Sequence, residues 1–194
     1  MDFRAIDPRS SFAISPTKSR NLYPFVPRVP VQLPRASLVI TLGVYGYNVI
    51  VRMDENVRAH KAFVEWAQRV DDVGMEAVRV AEPLLAWTTS VKGYGCARSL
   101  YLTIDQGSLV FDEDRTLLDA SPCTIRRGDI IAEIAGVWTS PTNAGLRWKL
   151  MQLKKCAPEA AEPAFGADPA DLAPPSLRPP PVAAACAFVD DNDE

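Results

Sequence analysis

Between residues 37 and 153 the chain is a succession of short runs in which apolar and polar residues alternate, each closed by a turn, and a helical period interrupts it once. Alternation sends successive side chains to opposite faces of a strand, so each run can bury one face and wet the other. Residues 38–43 and 48–53 are two such runs, with Gly43 and Gly46 at the bend between them. Residues 84–89, 99–105, 109–111, 130–137 and 146–153 supply further strands. Ser140-Pro141-Thr142-Asn143 is a hairpin turn, and Lys92-Gly93-Tyr94-Gly95 reads as a glycine-rich loop. The interruption is Val57, Phe63, Trp66, Val70 and Val73, which recur at helical spacing. With Asp54 as N-cap and Gly74 as stop, this spacing predicts one amphipathic helix over 55–73. Phe63 and Trp66 fall on its buried face. Many short strands around one long helix predict a mainly β chain, a compact, mostly antiparallel β-barrel with one helical insertion.

The flanks differ from this body. Residues 1–36 carry Pro8, Pro16, Pro24, Pro27, Pro30 and Pro34, which argue against a long helix or a central strand there. The same segment holds Phe12, Tyr23, Phe25, Val31 and Leu33, so it is expected to pack over the barrel of residues 37–156 as extended edge segments and loops. Residues 157–194 contain eight Pro and eleven Ala, too little apolar bulk to offset chain entropy, and read as a disordered tail.

Charge divides at the same boundary. Residues 1–156 carry +4 and residues 157–194 carry −7. A mildly basic body suits a polyanionic partner, and an acidic tail can compete for the same surface. Equally, an acidic tail can serve solubility alone.

Several function classes lack their residues. His60 is the only histidine, so a Ser-His-Asp triad or a histidine-rich metal centre would rest on one imidazole, and its position among Arg58 and Lys61 reads as an exposed helix residue. No phosphate-cradling Gly-x-x-x-x-Gly-Lys motif occurs. Cys96, Cys123, Cys156 and Cys186 have no Cys-x-x-Cys spacing and read as reduced thiols. Asp112-Glu113-Asp114 has oxygen ligands for a divalent cation but not the spacing of a calcium loop, and reads as a solvated turn. No cofactor, metal or catalytic set is expected. No apolar window is long enough to span a membrane, and the first residues do not form a secretory signal.

What remains is a binding surface. A single strand of nucleic acid needs flat rings for its bases beside cations for its phosphates. Tyr45 and Tyr47 flank a bend, Lys92, Tyr94 and Arg98 surround two glycines, Arg126 and Arg127 precede a strand, and Arg147 and Lys149 share one strand face. Trp148, on the opposite face, is assigned to the core, while Trp138 is divided between core and stacking platform. Arg35 completes the candidate set.

The stretch from 99 to 155 also carries a resemblance. Ser99-Leu100-Tyr101-Leu102, Leu109-Val110-Phe111-Asp112-Glu113-Asp114, Arg127-Gly128-Asp129-Ile130-Ile131, Gly136-Val137-Trp138 and Gly145-Leu146-Arg147-Trp148-Lys149-Leu150-Met151-Gln152 follow one another in order. This pattern resembles the single-stranded DNA-binding proteins of large eukaryotic DNA viruses, themselves similar to a phage-type single-strand binding family. The resemblance implies an OB-fold without catalysis that covers exposed strands in viral DNA replication, recombination or repair, at a host nuclear or cytoplasmic replication site. It also implies an acidic tail that docks replication proteins, here through Phe188, Asp190, Asp191, Asp193 and Glu194. Two features depart from the pattern: Phe188 precedes the terminal acids instead of following them, and residues 139–144 lack an aromatic after Trp138. A homodimer is compatible with the sequence but not specified by it. The competing reading is a non-enzymatic structural or adaptor protein of the virion that uses the barrel for protein contacts.

Overall fold

The computed structural model describes residues 2–15, 21–43, 46–118 and 125–156. Five strands form a closed ring: β3 (Pro30–Gly43), β4 (Gly46–Asp54), β7 (Ala97–Thr103), β9 (Arg127–Thr139) and β10 (Asn143–Lys155). β3 lies antiparallel between β4 and β9, β4 pairs with β7, and β9 pairs with β10. The ring closes where β7 meets β10 in parallel, at Thr103 opposite Lys149. This is an OB-fold-like barrel. Five shorter strands extend it: β1 (Ala13–Ile14) on β2 (Leu22–Val26), β2 on β9, β5 (Ala86–Thr88) and β8 (Leu109–Phe111) on β10, and β6 (Val91–Tyr94) on β7.

The alternation read from the sequence sets the barrel's inside and outside. Val49, Val51 and Met53 of β4 point in with Leu100 and Leu102 of β7, and Arg52 and Tyr101 are exposed between them. In β9 the phase changes at a bulge next to Gly136, so that Ile130, Ala132, Ile134 and Val137 are all buried. Gly136 has a φ of 147°, and a Cβ there would collide with the carbonyl oxygen of Tyr23.

Two expectations need correction. Residues 30–36 belong to a central strand despite their prolines. Pro30 begins β3, and Pro34 sits inside its irregularity between Leu33 and Ala36, the two places where a strand tolerates a missing N–H. The helix is α2, Arg58–Ala81, longer than 55–73. Gly74 does not stop it. Gly74 is buried against Trp87 and Leu146, where a Cβ would lie 2.9 Å from both side chains, so the glycine serves close packing. Asp54 caps a turn before the helix by accepting from the Asn56 N–H at 2.9 Å, and Val57 is the N-cap residue.

α2 touches β3, β4, β6, β9 and β10 and so lies across one end of the barrel. Its Phe63 and Trp66 meet the Trp148 ring edge-on, each with centroids 6.2 Å apart. A short helix, α1 (Pro8–Ser11), and the turn before it bring Phe3, Ile6 and Phe12 onto the same aromatic cluster, and the Trp66 Nε1–H donates to the Ile6 carbonyl at 2.8 Å. His60 is half-buried rather than exposed. Its Nδ1 accepts from the Asp54 N–H at 3.0 Å, so Nε2 carries the proton and donates to the Arg35 carbonyl at 2.8 Å.

One carboxylate lies inside this packing. Asp71 of α2 is 4% exposed and accepts from the Ser90 N–H and hydroxyl, both at 2.9 Å; the Ser90 oxygen in turn accepts from Trp148 Nε1 at 3.0 Å. Burial pushes the Asp71 carboxyl from its ordinary 3.8 up to about 6, against the pull of the two Ser90 bonds. The folded chain therefore holds a proton that the unfolded chain releases between those values, and stability falls as pH rises through that window. Denaturant melts from about pH 4 to about pH 7 should show this decline in the native chain, and Asp71→Asn should flatten it. An unchanged slope in the variant would assign the decline to other groups.

Candidate nucleic-acid interface

The outer face of β4 and β7 is assembled by cross-strand register. Antiparallel pairing sets Ser37 of β3 beside Arg52, Arg52 beside Ser99, and Ser99 beside Lys92 of β6; on the other side Ser37 faces Arg127 of β9. The next row is Val39, Ile50 and Tyr101, and the one after is Thr41, Asn48, Thr103 and Lys149. Residues two apart on a strand are roughly 6.7 Å apart and neighbouring strands roughly 4.8 Å. The three rows hold Arg127, Arg52, Lys92 and Lys149 and no carboxylate. Tyr101 is 49% exposed at their centre, and the Lys92 ammonium lies 5.9 Å from its ring centroid. In OB barrels the face of the second and third strands carries oligonucleotide contacts, and here those strands are β4 and β7.

The sequence candidates separate into groups against this face. Lys92 and Arg127 lie within the rows, and Tyr94 follows Lys92 on the same face of β6, with its side chain 95% exposed. Lys92-Gly93-Tyr94 is thus a strand and not a loop. Tyr47 is exposed at the start of β4. Arg126, just before β9, and Arg147, on the outside of β10, are exposed, and no carboxylate pairs with either among the described residues.

Three other cations are engaged. Arg35 forms a forked pair with Asp129 at 2.8 and 3.1 Å. Arg98 meets Glu55 at 2.8 Å. Lys149 meets Asp105 at 2.8 Å; burial pushes that carboxyl up, but the Lys149 bond and the Gly107 N–H outweigh it and hold Asp105 below its ordinary value.

Trp138 does not join the rows. Its cross-strand neighbours are Leu22 and Gly145, and its ring lies against Gly145, half-buried. Tyr45 and the tail residues Phe188, Asp190, Asp191, Asp193 and Glu194 lie outside the described residues.

Arg52 and Tyr101 are missing from the sequence candidates. The signal was present: both alternate against buried valines and leucines within recognised strands, so each had to face outward. The Asp112 carboxylate accepts the N–H groups of Asp114 and Thr116, so the acidic turn uses it locally. Among the described residues no cluster of histidine, cysteine and carboxylate side chains could hold a metal ion, and no helix is long and apolar enough to cross a membrane.

No family model matches the chain, and no curated protein sequence matches it. Solved structures similar to it include the single-stranded DNA-binding protein of bacteriophage Enc34, at 10% identity and a TM-score of 0.47, covering 81% of this chain and 96% of that one. The single-stranded DNA-binding protein gp2.5 of bacteriophage T7 is similar at 11% identity and a TM-score of 0.46, covering 73% of this chain and 100% of that one. The Enc34 protein in complex with single-stranded DNA is similar at 13% identity and a TM-score of 0.44, covering 80% and 98%.

The pairing pattern fixes relative lysine reactivity. Amine-directed labelling at neutral pH should modify Lys92 well ahead of Lys149, whose ammonium is held by Asp105. Equal rates by peptide mass mapping would show that the Lys149 pair does not persist in solution.

Proposed function

We propose that this chain binds single-stranded DNA without marked sequence preference, along the outer face of β4, β7 and β6. One observation carries the reading: adjacent cross-strand rows present Arg52 and Lys92 around an exposed Tyr101. Cations hold backbone phosphates, and Tyr101 and Tyr94 offer faces on which any base can stack. Ile50 adds apolar contact between them. Arg126 and Arg147 extend the positive field.

The biological setting follows from the same reading. A protein of this kind covers strands exposed during replication, recombination or repair. The order of motifs from Ser99 to Gln152 supports a viral role, at the site of viral replication. The −7 charge of residues 157–194 supports competition with DNA for the basic face and docking of replication proteins when DNA displaces the segment. A second reading has its own observation: Val80 and Leu84, beside the end of α2, are 89% and 95% exposed, which favours a protein-contact role for that end of the molecule.

Oligonucleotide titrations across a salt series separate the two. Binding should quench intrinsic fluorescence and weaken steeply with salt. Each phosphate contact removed should lower the log–log slope by about 0.7. Arg52→Gln should therefore reduce both affinity and slope, equally for different base compositions, whereas Arg35→Gln, which removes a cation already held by Asp129, should leave the slope unchanged. Absence of binding at low salt would leave the adaptor reading.

A further inference from the structure

Arg98 was a phosphate candidate by charge, but its geometry assigns it another task. One terminal nitrogen of its guanidinium donates to the Gly95 carbonyl at 2.6 Å and to the Ala97 carbonyl at 3.3 Å, and the other meets the Glu55 carboxylate at 2.8 Å. Glu55, the first residue after β4, also donates its backbone N–H to the Cys96 carbonyl at 2.9 Å. The carbonyls of Gly95, Cys96 and Ala97, at and beside the β6–β7 turn, are thus each held by a contact that is not a rung of the β6–β7 ladder. Gly95 sits at a φ of 61°, and a Cβ at Gly93 would collide with the Ala97 carbonyl oxygen, so the backbone is tightly wound on both sides of Tyr94. The result is a tyrosine 95% exposed to water on a hairpin tied down at its tip.

We propose that Arg98 and Glu55 form a clamp that fixes the backbone of the β6–β7 hairpin and so fixes the point from which Tyr94 projects as a stacking platform beside Lys92. This rests on the single-strand-binding reading above. Arg98 is then a positioning residue and not a phosphate contact, because both terminal nitrogens of its guanidinium already hold the turn carbonyls and Glu55. A hairpin backbone held in place before binding loses less freedom when a base stacks on its tyrosine, and so returns more affinity.

The two roles for Arg98 give opposite results. If Arg98 held phosphate, Arg98→Met would lower the salt slope by about 0.7, Arg98→Lys would restore most of the loss, and Glu55→Gln would tighten binding by freeing the guanidinium. The clamp predicts that Arg98→Met, Arg98→Lys and Glu55→Gln each weaken binding of an oligothymidine by about three- to tenfold with the slope unchanged. It also predicts that none weakens a Tyr94→Ala variant further, since the lost interaction is the same. Amide hydrogen exchange without DNA gives a separate readout: exchange over residues 94–97 should rise in all three substitutions while the barrel strands stay protected. Tighter binding by Glu55→Gln, or unchanged exchange in the hairpin, overturns the clamp. If the native chain binds no oligonucleotide, the functional reading fails, and the exchange result still decides whether the clamp exists.

Discussion

Trp148 sits where the barrel, its helix and the β6–β7 hairpin meet, and its ring, carbonyl and indole N–H are all engaged. Its ring, 2% exposed, packs edge-on against Phe63 and Trp66 of α2. Its carbonyl accepts from the Thr103 hydroxyl at 3.1 Å, across the seam where β7 and β10 close the ring. Its Nε1–H reaches Ser90, which leads into β6 and is tied to Asp71. A large apolar group with a satisfied donor can anchor a core in this way, and truncating such a residue typically costs 3–5 kcal/mol. Loss of Trp148 would loosen the seam, the helix seat and the approach to Lys92 together.

That inner anchoring lets the outer face be polar. β4 and β7 spend one side of each strand on the core, so the other side is free to hold charge without burying it. The acids near this face are placed at its margins, where they neutralise Arg35, Arg98 and Lys149, and among the described residues none pairs with Arg52 or Lys92 in the middle. A field of this shape attracts a flexible polyanion to the centre of the sheet. Exposed ion pairs contribute little to stability, so the half-exposed Arg35–Asp129 pair matters chiefly for which cations remain available.

Much of this was legible locally. Alternation in 48–53 and 99–105 located the two central strands, and the spacing of Phe63, Trp66 and Val70 located the helix and its buried face. The runs at 130–137 and 146–153 located the two long strands that pair across the barrel. What stayed hidden depends on residues far apart in the chain. Arg35 finds Asp129 94 residues away, and Arg98 finds Glu55 across a whole helix. Nothing in either neighbourhood marks those cations as taken. Gly74 looked like a stop because its packing partners, Trp87 and Leu146, arrive from other elements. Pro30 and Pro34 looked incompatible with a central strand because the start and the irregularity that accommodate them appear only once β3 is paired.

The central claim is that the β4–β7–β6 face is the surface on which a single strand lies. Residue-resolved amide shifts of the full chain, titrated with an unstructured oligonucleotide at low salt, test it most directly. The account predicts that the largest shifts cluster at residues 48–52, 92–95 and 99–103, with the buried face of α2 undisturbed. Shifts confined to the end of α2 around Val80 and Leu84, or spread evenly over opposite sides of the barrel, would contradict it.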